Sequence, residues 1–470
     1  MESQDIIRLV LQLIYGTTAV GIVFIVITEN RNPLKTISWA LLLLFFPIGG
    51  IIVYYFFGQD ARKIRIISRK TYKRLKKHSF NHLIMHDTGN IRSEFLPLVK
   101  LLNYNNNAAL LQGSEIKIFT NGPEKFAALL ADLEQARHHI HLQYYIFLDD
   151  EIGKKVKEML SRKAQEGVEV RVLYDAVANW QVKNRFYNEM SAYGVEITAF
   201  RKVRFPFLTS KVNYRNHRKV VVIDGRIGYI GGMNIADRYL KPNWRDTHLR
   251  VEGKGALGMQ SAFLIDWLSS GKQLVDEKIY FPDARVVTDN IMQIATGGPV
   301  GLWRTLLQAT VQIIACAKKY VYIQTPYFMP TDGLLQTLQS VALAGIDVRL
   351  MVAWRADVRF VSTATHSFFE DILNAGVKIY VMDPGFLHAK MIVVDDFLTV
   401  AGSANMDFRS FEHNFEVNAY MYDDEIALQM KRIFLNDQKA CRRILRKEWR
   451  KRPPFRKIQE SVMRMFSPLL

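Results

Sequence analysis

The most hydrophobic part of the chain is its start, where two long uncharged segments follow each other. Leu9 to Thr28 is twenty residues without a charge, and Thr36 to Phe57 is twenty-two more. Helices of these lengths match the roughly 30 Å of bilayer hydrocarbon, so the pattern predicts an N-terminal membrane hairpin over 1–60, with helices at about 9–28 and 36–57. Pro47 and the Gly49–Gly50 pair predict that the second helix kinks or re-enters without crossing. The alternative is a cleaved signal peptide, but residues 25–30 offer no small-residue cleavage site.

A dense run of basic residues follows the hairpin. Nine Lys or Arg residues and no acid lie between Arg62 and Lys77, whereas the turn between the two apolar segments carries only Arg31 and Lys35. Basic residues favour the cytoplasmic side of a membrane, so the chain after residue 60 is predicted to be cytoplasmic. The run also attracts anionic lipid head groups, by about 1 kcal/mol per basic residue near the surface. We therefore interpret residues 61–110 as a basic juxtamembrane linker.

The rest of the chain repeats one order of hydrophobic runs. The apolar stretch at 139–147 is paralleled at 320–328, and each copy continues through a helical stretch, two glycine-led β-branched runs and a short, wholly apolar run. Strands that alternate with helices predict layered α/β domains. The expected fold class is therefore α/β, with two tandem domains at 111–290 and 291–470 that are related by a pseudo-two-fold axis.

The last apolar run of each copy carries one polar pattern, His-x-Lys-x4-Asp followed by Gly-x-x-Asn. Its members are His217, Lys219, Asp224 and Asn234 in the first copy, and His388, Lys390, Asp395 and Asn405 in the second. Two copies with one spacing are not an accident of composition. The runs inside the pattern, Val220–Ile223 and Met391–Val394, predict strands buried on both faces. Because side chains two apart on a strand share a face, each histidine should lie beside its lysine.

Two such halves, brought together by a two-fold axis, would place two imidazoles and two ammonium groups around one point. Fixed positive charge suits the non-bridging oxygens of a phosphodiester. One histidine can attack the phosphorus while the other protonates the leaving oxygen. Asp224 and Asp395 end their strands in turn-forming sequence. Strand parity points them away from the histidine and the lysine, so we expect them to brace the site and not to touch the phosphate.

This duplicated motif resembles that of the phospholipase D superfamily. Within the superfamily the chain is similar to the bacterial cardiolipin synthases, in segments 213–239, 325–330 and 385–418 and in the C-terminal Ser467–Leu470. The resemblance implies a phosphatidyltransferase of the bacterial cytoplasmic membrane, which converts two phosphatidylglycerol molecules to cardiolipin and glycerol through a phosphatidyl-histidine. It favours His217 as the nucleophile and His388 as the acid and then the base, although the two halves are too alike for the residues themselves to decide.

The resemblance also implies orienting acids. In the family, an acid about 28 residues past the motif histidine orients that imidazole. Glu416 lies 28 residues past His388, and Asp246 lies 29 past His217, so the first copy departs by one residue and by acid type.

Two asparagines and one serine are further candidate site residues. Asn234 and Asn405 are expected either to donate to phosphate oxygens or to satisfy their own backbone as turn asparagines. Ser403 stands where the first copy has Gly232, so a hydroxyl is offered in the second half alone.

Composition narrows the partners. A net charge of +18 and a pI near 9.6 favour an anionic membrane or nucleic acid. The tandem apolar segments argue for the membrane, so no nucleic acid is expected. Two cysteines, Cys316 and Cys441, are too few for a zinc cluster, and no carboxylate cluster of metal-site type is seen in the sequence; no metal or cofactor is expected. A hydrolytic phospholipase D, another phosphatidyltransferase, a nuclease of the same superfamily and an inactive membrane scaffold remain alternatives, and the acceptor alcohol and oligomeric state stay open.

Two more segments are candidates for lipid contact. From Lys439 to Lys457 there are ten Lys or Arg residues and one acid, and apolar positions at helical spacing follow from Ile458 to Phe466. An amphipathic helix on an anionic bilayer fits this tail; nucleic-acid binding and a solvated helix packed on its own domain are alternatives. Arg204–Leu208, just before the first motif, fits either a loop that dips into the bilayer or a buried connection.

Overall fold

The computed structural model describes residues 3–28, 33–54, 91–200, 214–273, 278–283, 286 and 288–467. They fall into two units, an N-terminal unit within Met1–Lys63 and Val203–Tyr214, and a large unit that contains the rest. The basic run at 62–77 and the Arg204–Leu208 loop lie outside the described residues.

The N-terminal unit contains helices α1 (Ser3–Thr28), α2 (Pro33–Phe45) and α3 (Pro47–Val53). The predicted irregularity of the second apolar segment is a break at Phe46, which leaves helical dihedrals, while Pro47 stands in the first turn of α3 where its missing N–H costs no bond. The Tyr15 hydroxyl donates to the Leu43 carbonyl at 2.7 Å, which ties α1 to α2. None of the helices in the described ranges combines the length and the apolarity needed to cross a bilayer, so the membrane hairpin stays a prediction.

The large unit contains two large sheets, of seven and nine strands, two small sheets of two strands each, and covering helices. Its strands are β1 (Leu111–Gln112), β2 (Glu115–Phe119), β3 (His139–Tyr144), β4 (Glu169–Asp175), β5 (Glu196–Phe200), β6 (Val220–Ile223), β7 (Ile227–Gly231), β8 (Trp244–Arg245), β9 (His248–Glu252), β10 (Ile291–Gly297), β11 (Tyr320–Gln324), β12 (Phe328–Met329), β13 (Asp347–Ala353), β14 (Lys378–Met382), β15 (Phe386–Leu387), β16 (Met391–Val394), β17 (Leu398–Gly402), β18 (Met406–Asp407), β19 (Glu416–Tyr422) and β20 (Cys441–Ile444). Its helices are α4 (Leu96–Asn106), α5 (Gly122–Glu134), α6 (Glu151–Gln165), α7 (Asn184–Ala192), α8 (Gly255–Ser269), α9 (Thr305–Cys316), α10 (Asp332–Leu343), α11 (Arg359–Ser367), α12 (Phe369–Asn374), α13 (Phe408–Glu412), α14 (Asp424–Lys439), α15 (Arg446–Arg450) and α16 (Pro454–Met465). Short 3₁₀ turns occupy Ser93–Phe95, Asp237–Leu240 and Lys278–Tyr280.

The two sheets share one strand order. The first runs β2-β9-β7-β6-β3-β4-β5, and the second runs β1-β10-β19-β17-β16-β11-β13-β14-β20. Without the edge strands β1 and β20, the second order matches the first strand for strand. The trios β3-β4-β5 and β11-β13-β14 are parallel, and the remaining neighbours in each sheet are antiparallel. The predicted duplication of an α/β domain is therefore confirmed.

One segment packs differently from the expected domain bounds. Phe95, Leu98 and Leu102 of the stretch around α4 are buried in the core of the second sheet, and β1 extends that sheet by pairing with β10. The sequence assigned residues up to 110 to a linker and residue 111 onward to the first domain. Ile91–Gln112 instead covers the second domain, because its apolar side chains and its short strand complete that sheet's core and edge.

The motif strands β6 and β16 lie in the middle of their sheets, and every residue of both is buried. Gln143, near the end of β3, pairs with Val220 at the start of β6, and Gln324, at the end of β11, pairs with Met391 at the start of β16. The histidine and lysine that precede each motif strand therefore lie at the carboxyl edge of the parallel strands, where α/β sheets commonly bind ligands.

Three histidines around the start of β3 form a cluster in the first sheet. Nδ1 of His138 lies 2.8 Å from Nδ1 of His139, and the ring centroids of His139 and His141 are 4.7 Å apart. Burial lowers the pKa of His139 to about 4 and the pKa of His141 well below its usual value. Both rings are therefore neutral in the folded protein.

This cluster predicts that the fold loses stability in mild acid. A histidine with a folded pKa below its unfolded value of about 6.5 binds its proton more readily when unfolded, so its contribution is present above pH 6.5 and is lost as the pH falls toward 4. We expect the Tm of the purified protein in detergent to fall between pH 7 and pH 5, and to fall less in His139→Gln. An identical pH dependence of Tm in both proteins would contradict this account.

Candidate active site

Reciprocal backbone hydrogen bonds join the two sheets at the motif histidines. The His217 amide donates to the Phe415 carbonyl at 2.9 Å, and the Phe415 amide donates back to the Arg215 carbonyl at 2.8 Å. In the other half the His388 amide donates to the Arg245 carbonyl at 2.7 Å, and β15 pairs in parallel with β8. Each motif therefore enters its strand alongside the residue that precedes a carboxylate of the opposite half.

The histidines and carboxylates pair across the two halves. Nδ1 of His217 lies 2.9 Å from Oε1 of Glu416, and Nδ1 of His388 lies 2.7 Å from Oδ2 of Asp246. The expectation that each acid orients the histidine of its own copy is therefore wrong. The offsets identified the acids, but the backbone exchange between the halves places each of them against the other histidine.

The carboxylates leave one ring nitrogen of each histidine to react. With Nδ1 engaged, the neutral tautomer carries its proton on Nδ1 and its lone pair on Nε2. Burial lowers the pKa of His217 and of His388, against the opposing charge of their carboxylates. Burial disfavours ionisation of Glu416 and Asp246 too, but the neighbouring positive charges outweigh it and lower the pKa of both acids. Both acids are therefore ionised at neutral pH.

The motif lysines lie beside the histidines, as predicted. Nζ of Lys219 donates to the His217 carbonyl at 2.5 Å, and Nζ of Lys390 donates to the His388 carbonyl. Burial lowers the pKa of Lys390 to about 8 and the pKa of Lys219 well below its usual value. Each ammonium group also lowers the pKa of the histidine in the other half, so the four side chains form one charged cluster. Two cations at one point favour an anion there.

The motif aspartates lie at the far end of their strands from the histidines. Asp224 accepts hydrogen bonds from the amides of residues 137, 138 and 139, at 2.8 to 2.9 Å. Asp395 accepts from the amides of residues 318, 319 and 320, at 2.6 to 2.9 Å. Each has a φ of +53°, a turn conformation that aspartate tolerates better than most residues. They fasten β3 to β6 and β11 to β16, which agrees with the expected bracing role.

The two motif asparagines are engaged to different extents. Oδ1 of Asn234 accepts from the Ile146 amide at 3.1 Å, and Nδ2 donates to the Tyr239 hydroxyl at 2.5 Å. Nδ2 of Asn405 donates to Asp407 at 3.1 Å, while its buried Oδ1 has no hydrogen-bond partner among the described residues. Both the oxygen and the nitrogen of the Asn234 side-chain amide thus make hydrogen bonds within the fold, whereas only the nitrogen of Asn405 does.

Two differences between the halves are matched to each other. Oγ of Ser403 donates to Oε2 of Glu416 at 2.5 Å. A Cβ added at Gly232 would lie 2.1 Å from Oδ1 of Asp246, so the first half needs glycine there. The longer acid takes a hydroxyl partner where the shorter acid approaches the main chain.

An arginine stands behind each carboxylate, and sequence reasoning missed both. Arg218, which is buried, pairs with Asp266 at 2.6 Å and donates to the Glu416 carbonyl at 3.0 Å. Arg245, which is partly buried, pairs with Asp437 at 2.8 Å and donates to the Asp246 carbonyl. Each arginine therefore fixes the main chain that presents an orienting acid, and removal of one partner of the buried Arg218–Asp266 pair costs on the order of 3–5 kcal/mol.

These arginines come from non-equivalent positions. The counterpart of Arg218 in the second motif is Ala389, and the counterpart of Arg245 is Phe415. The duplication therefore gives no sign of them. The glutamines that bond the same aspartates, Gln143 at 2.6 Å and Gln324 at 2.7 Å, do repeat and were the available signal.

A second missed pair does follow the duplication. Arg238 and Arg409 each lie 21 residues past a motif histidine. The Arg238 guanidinium lies 5.4 Å from the centroid of the Tyr239 ring, which meets the His388 ring edge-on. Arg409 acts electrostatically on Tyr145, whose ring meets the His217 ring edge-on at 4.8 Å. Comparison of the two halves by offset would have found both.

The positive charge of this site comes from side chains. Within the described ranges, no three His, Cys, Asp or Glu side chains are arranged to hold a metal ion. Lys219 and Lys390, which act on both histidines, are the cations nearest to the point where an anion would bind.

The chain is similar to known proteins over nearly its full length. A family model described as "Cardiolipin synthase, PLD-like domain" matches residues 129–259 and 310–438, and one described as "Phospholipase_D-nuclease N-terminal" matches residues 18–59. Cardiolipin synthase 2 of Bacillus cereus is 40% identical over 462 residues, which cover 95% of this chain and 89% of the relative. Major cardiolipin synthase ClsA of Bacillus subtilis is 38% identical over 99% of this chain and 100% of the relative.

Similarity to solved structures is one of fold. Phosphatidylserine synthase of Haemophilus influenzae matches 80% of this chain and 100% of its own with a TM-score of 0.61, at 14% sequence identity.

The position of the motif aspartates predicts a separation of stability from activity. In Asp224→Asn an NH₂ group replaces one of the carboxylate oxygens that accept hydrogen bonds from backbone amides. We therefore expect the variant to lose about 2 kcal/mol of stability and to keep near-normal activity per folded molecule. Lys219→Met should do the opposite, because it removes a buried ammonium group with its desolvation cost and also a cation of the site. Tm and initial rates at low temperature measure both effects. An inactive Asp224→Asn with an unchanged Tm would place that carboxylate in contact with substrate.

Proposed function

This chain belongs to the cardiolipin synthases with phospholipase D-like domains and is a phosphatidyltransferase, and on that premise we propose that one site between its two halves transfers a phosphatidyl group from one phosphatidylglycerol to another. The products are cardiolipin and glycerol. The observation that carries the proposal is the crossed pairing, in which each histidine is held by a carboxylate of the other half and is influenced by both lysines. Such a cluster suits one phosphodiester that is bound by groups of both halves.

The first step forms a phosphatidyl-histidine. Nε2 of neutral His217 attacks the phosphorus of phosphatidylglycerol, and a P–N bond forms as the P–O bond to the terminal glycerol breaks. Protonated His388 gives its Nε2 proton to the departing glycerol oxygen. Lys219 and Lys390 hold the non-bridging oxygens, where negative charge accumulates. Glu416 stabilises the positive charge that His217 acquires.

The second step reverses these roles. His388, now neutral, takes the proton from the primary hydroxyl of a second phosphatidylglycerol. That oxygen attacks the phosphorus, the P–N bond breaks, and cardiolipin leaves with His217 neutral and His388 protonated again. The acceptor must outcompete water, which favours a site held at a lipid surface.

The surroundings of the two carboxylates support the assignment of roles. Glu416 accepts hydrogen bonds from Ser403 at 2.5 Å and Asn414 at 3.2 Å besides His217. Asp246 accepts from His388 and from the Thr247 amide at 2.7 Å. Each further donor stabilises a carboxylate and weakens its pull on the imidazole proton. Asp246, which has fewer donors, therefore favours the protonated form of His388 more than Glu416 favours that of His217. Burial lowers the pKa of His388 to about 4 before substrate binds, so His388 becomes the general acid once the negative charge of the bound phosphate raises that pKa.

We place the enzyme in the bacterial cytoplasmic membrane, with the two domains on the cytoplasmic side. The apolar segments at 9–28 and 36–57 and the basic run after them support this location. The match of residues 18–59 to an N-terminal family model shows that the segment is a family feature.

The direct test is product analysis. Purified protein in mixed micelles with phosphatidylglycerol and a chelator of divalent metals should form cardiolipin and glycerol in equal amounts. Phosphatidic acid in place of cardiolipin would identify a hydrolase, and absence of turnover without a divalent metal would contradict the mechanism. His217→Ala with full product formation would contradict the site.

An activated leaving group separates the roles of the two halves. A phosphatidyl ester of 4-nitrophenol needs no general acid, so we expect His388→Ala and Asp246→Asn to keep the burst of 4-nitrophenolate. In His217→Ala and Glu416→Gln the rate of the burst should fall by roughly 100-fold or more, because Glu416 orients the nucleophile His217 across the two halves. Stopped-flow absorbance measures the burst. If each acid served its own copy, Glu416→Gln would instead behave like His388→Ala.

A further inference from the structure

The C-terminal helix α16 turns its apolar side outward. Phe455, Ile458 and Met465 are 76%, 62% and 78% exposed, and Val462 and Phe466 are about half exposed. Their spacing places all five on one face of the helix. We call these five residues the apolar stripe.

The opposite, charged face of α16 fixes the helix to its domain. Glu460 is buried and pairs with Arg452 at 2.8 Å and Arg456 at 3.2 Å. Arg464 pairs with Asp371 at 2.6 Å and lies 4.3 Å from the centre of the Phe368 ring. Met463 also packs from this side of α16 against the core of the second sheet. The five residues of the stripe lie on the other side of the helix and are directed away from the domain.

The stripe continues toward the candidate active site. Val358 and Phe360, both exposed, lie at the start of α11, which packs along α16, and the Arg456 guanidinium lies 5.4 Å from the Trp354 ring centre. The same loop carries Asp357, which accepts a hydrogen bond from the Tyr327 hydroxyl and acts electrostatically on Lys390. The exposed apolar surface thus begins beside Asp357, a carboxylate that acts on a lysine of the candidate active site.

Basic side chains border this surface. Exposed lysines and arginines occupy β20, α15 and the turn after them: Arg442, Arg443, Arg446, Lys447, Arg450 and Lys451. Glu448 is the one acid in this stretch. An apolar centre with a cationic border is the pattern of a helix that lies in the interface of an anionic bilayer.

We propose that the apolar stripe, with Val358 and Phe360, inserts into an anionic lipid surface and seats the mouth of the active site on it. A second copy of this chain is a poor occupant, because its own cationic border would meet this one. Nucleic acid matches the border, and its bases could stack on the phenylalanine rings, but it gives the side chains of Ile458, Val462 and Met465 no partner. The proposal rests on the proposed function, since a lipid substrate gives the contact its purpose: the phosphodiester then needs to move only a short way out of the bilayer.

Spin labels test the insertion directly in the full chain. In a background of Cys316→Ala and Cys441→Ala, a nitroxide is attached at Ile458→Cys or, as the matched control, at Leu343→Cys. Leu343 is 72% exposed and ends α10, at the edge of the second sheet opposite the site. In vesicles of phosphatidylglycerol and phosphatidylcholine, the label at 458 should become accessible to oxygen and shielded from an aqueous nickel complex, and the label at 343 should not.

Each outcome decides the proposal. A label at 458 that stays as accessible to nickel as the control overturns it, and so does immobilisation by duplex DNA without immobilisation by vesicles. Shielding that is equally strong in pure phosphatidylcholine overturns the requirement for anionic lipid. The label depth needs no turnover. A protein that inserts the stripe but forms no cardiolipin would therefore contradict the proposed function alone.

A kinetic arm uses the same positions. Ile458→Gln combined with Val462→Gln should lower kcat/KM on phosphatidylglycerol vesicles about tenfold, and Leu343→Gln should leave it unchanged. Equal rates for both variants would contradict a role of the stripe in delivering substrate.

Discussion

The structure depends on an exchange between the two halves of the chain, in which each half holds the other's histidine. Backbone hydrogen bonds from His217 to Phe415 and from His388 to Arg245 bring the motif of one half against the acid-bearing segment of the other. The carboxylate of Glu416 then fixes His217, and the carboxylate of Asp246 fixes His388. Neither half contains a complete site, so the duplicated domain must stay in register with its partner.

Charge balance explains why such a cluster can be buried and still react. With neutral imidazoles, two ammonium groups and two carboxylates compensate each other. A phosphodiester adds one negative charge, and that charge favours one further proton on the cluster. In the proposed mechanism that proton is on His388, whose carboxylate, Asp246, accepts from fewer donors than Glu416 does. The protonation state that the transfer needs is therefore one that the substrate helps to create.

The side chains behind the two orienting acids have the same role in both halves but come from different positions in the sequence. A guanidinium stands behind each orienting acid, but Arg218 comes from the first motif and Arg245 from the strand before the acid. Gly232 with Asp246 and Ser403 with Glu416 are matched in the same way. The pseudo-symmetry thus fixes where the supporting groups lie, but it does not fix which residue supplies each group. On the outside, ion pairs and the side chain of Met463 hold α16 to the domain and leave the apolar stripe exposed.

The resemblance to the phospholipase D superfamily supplied the orienting acids, whereas the residues themselves determined the duplication, the two buried motif strands and the cluster of two histidines and two lysines. Those features follow from local spacing, because strand periodicity and turn chemistry act between near neighbours. Tertiary structure alone decided that the acids cross between halves, that Arg218 and Arg245 stand behind them, that Ile91–Gln112 completes the second sheet and that α16 faces outward. These contacts join residues up to 332 positions apart, and their geometry exists only after two sheets have packed, so spacing within one copy carries no record of them.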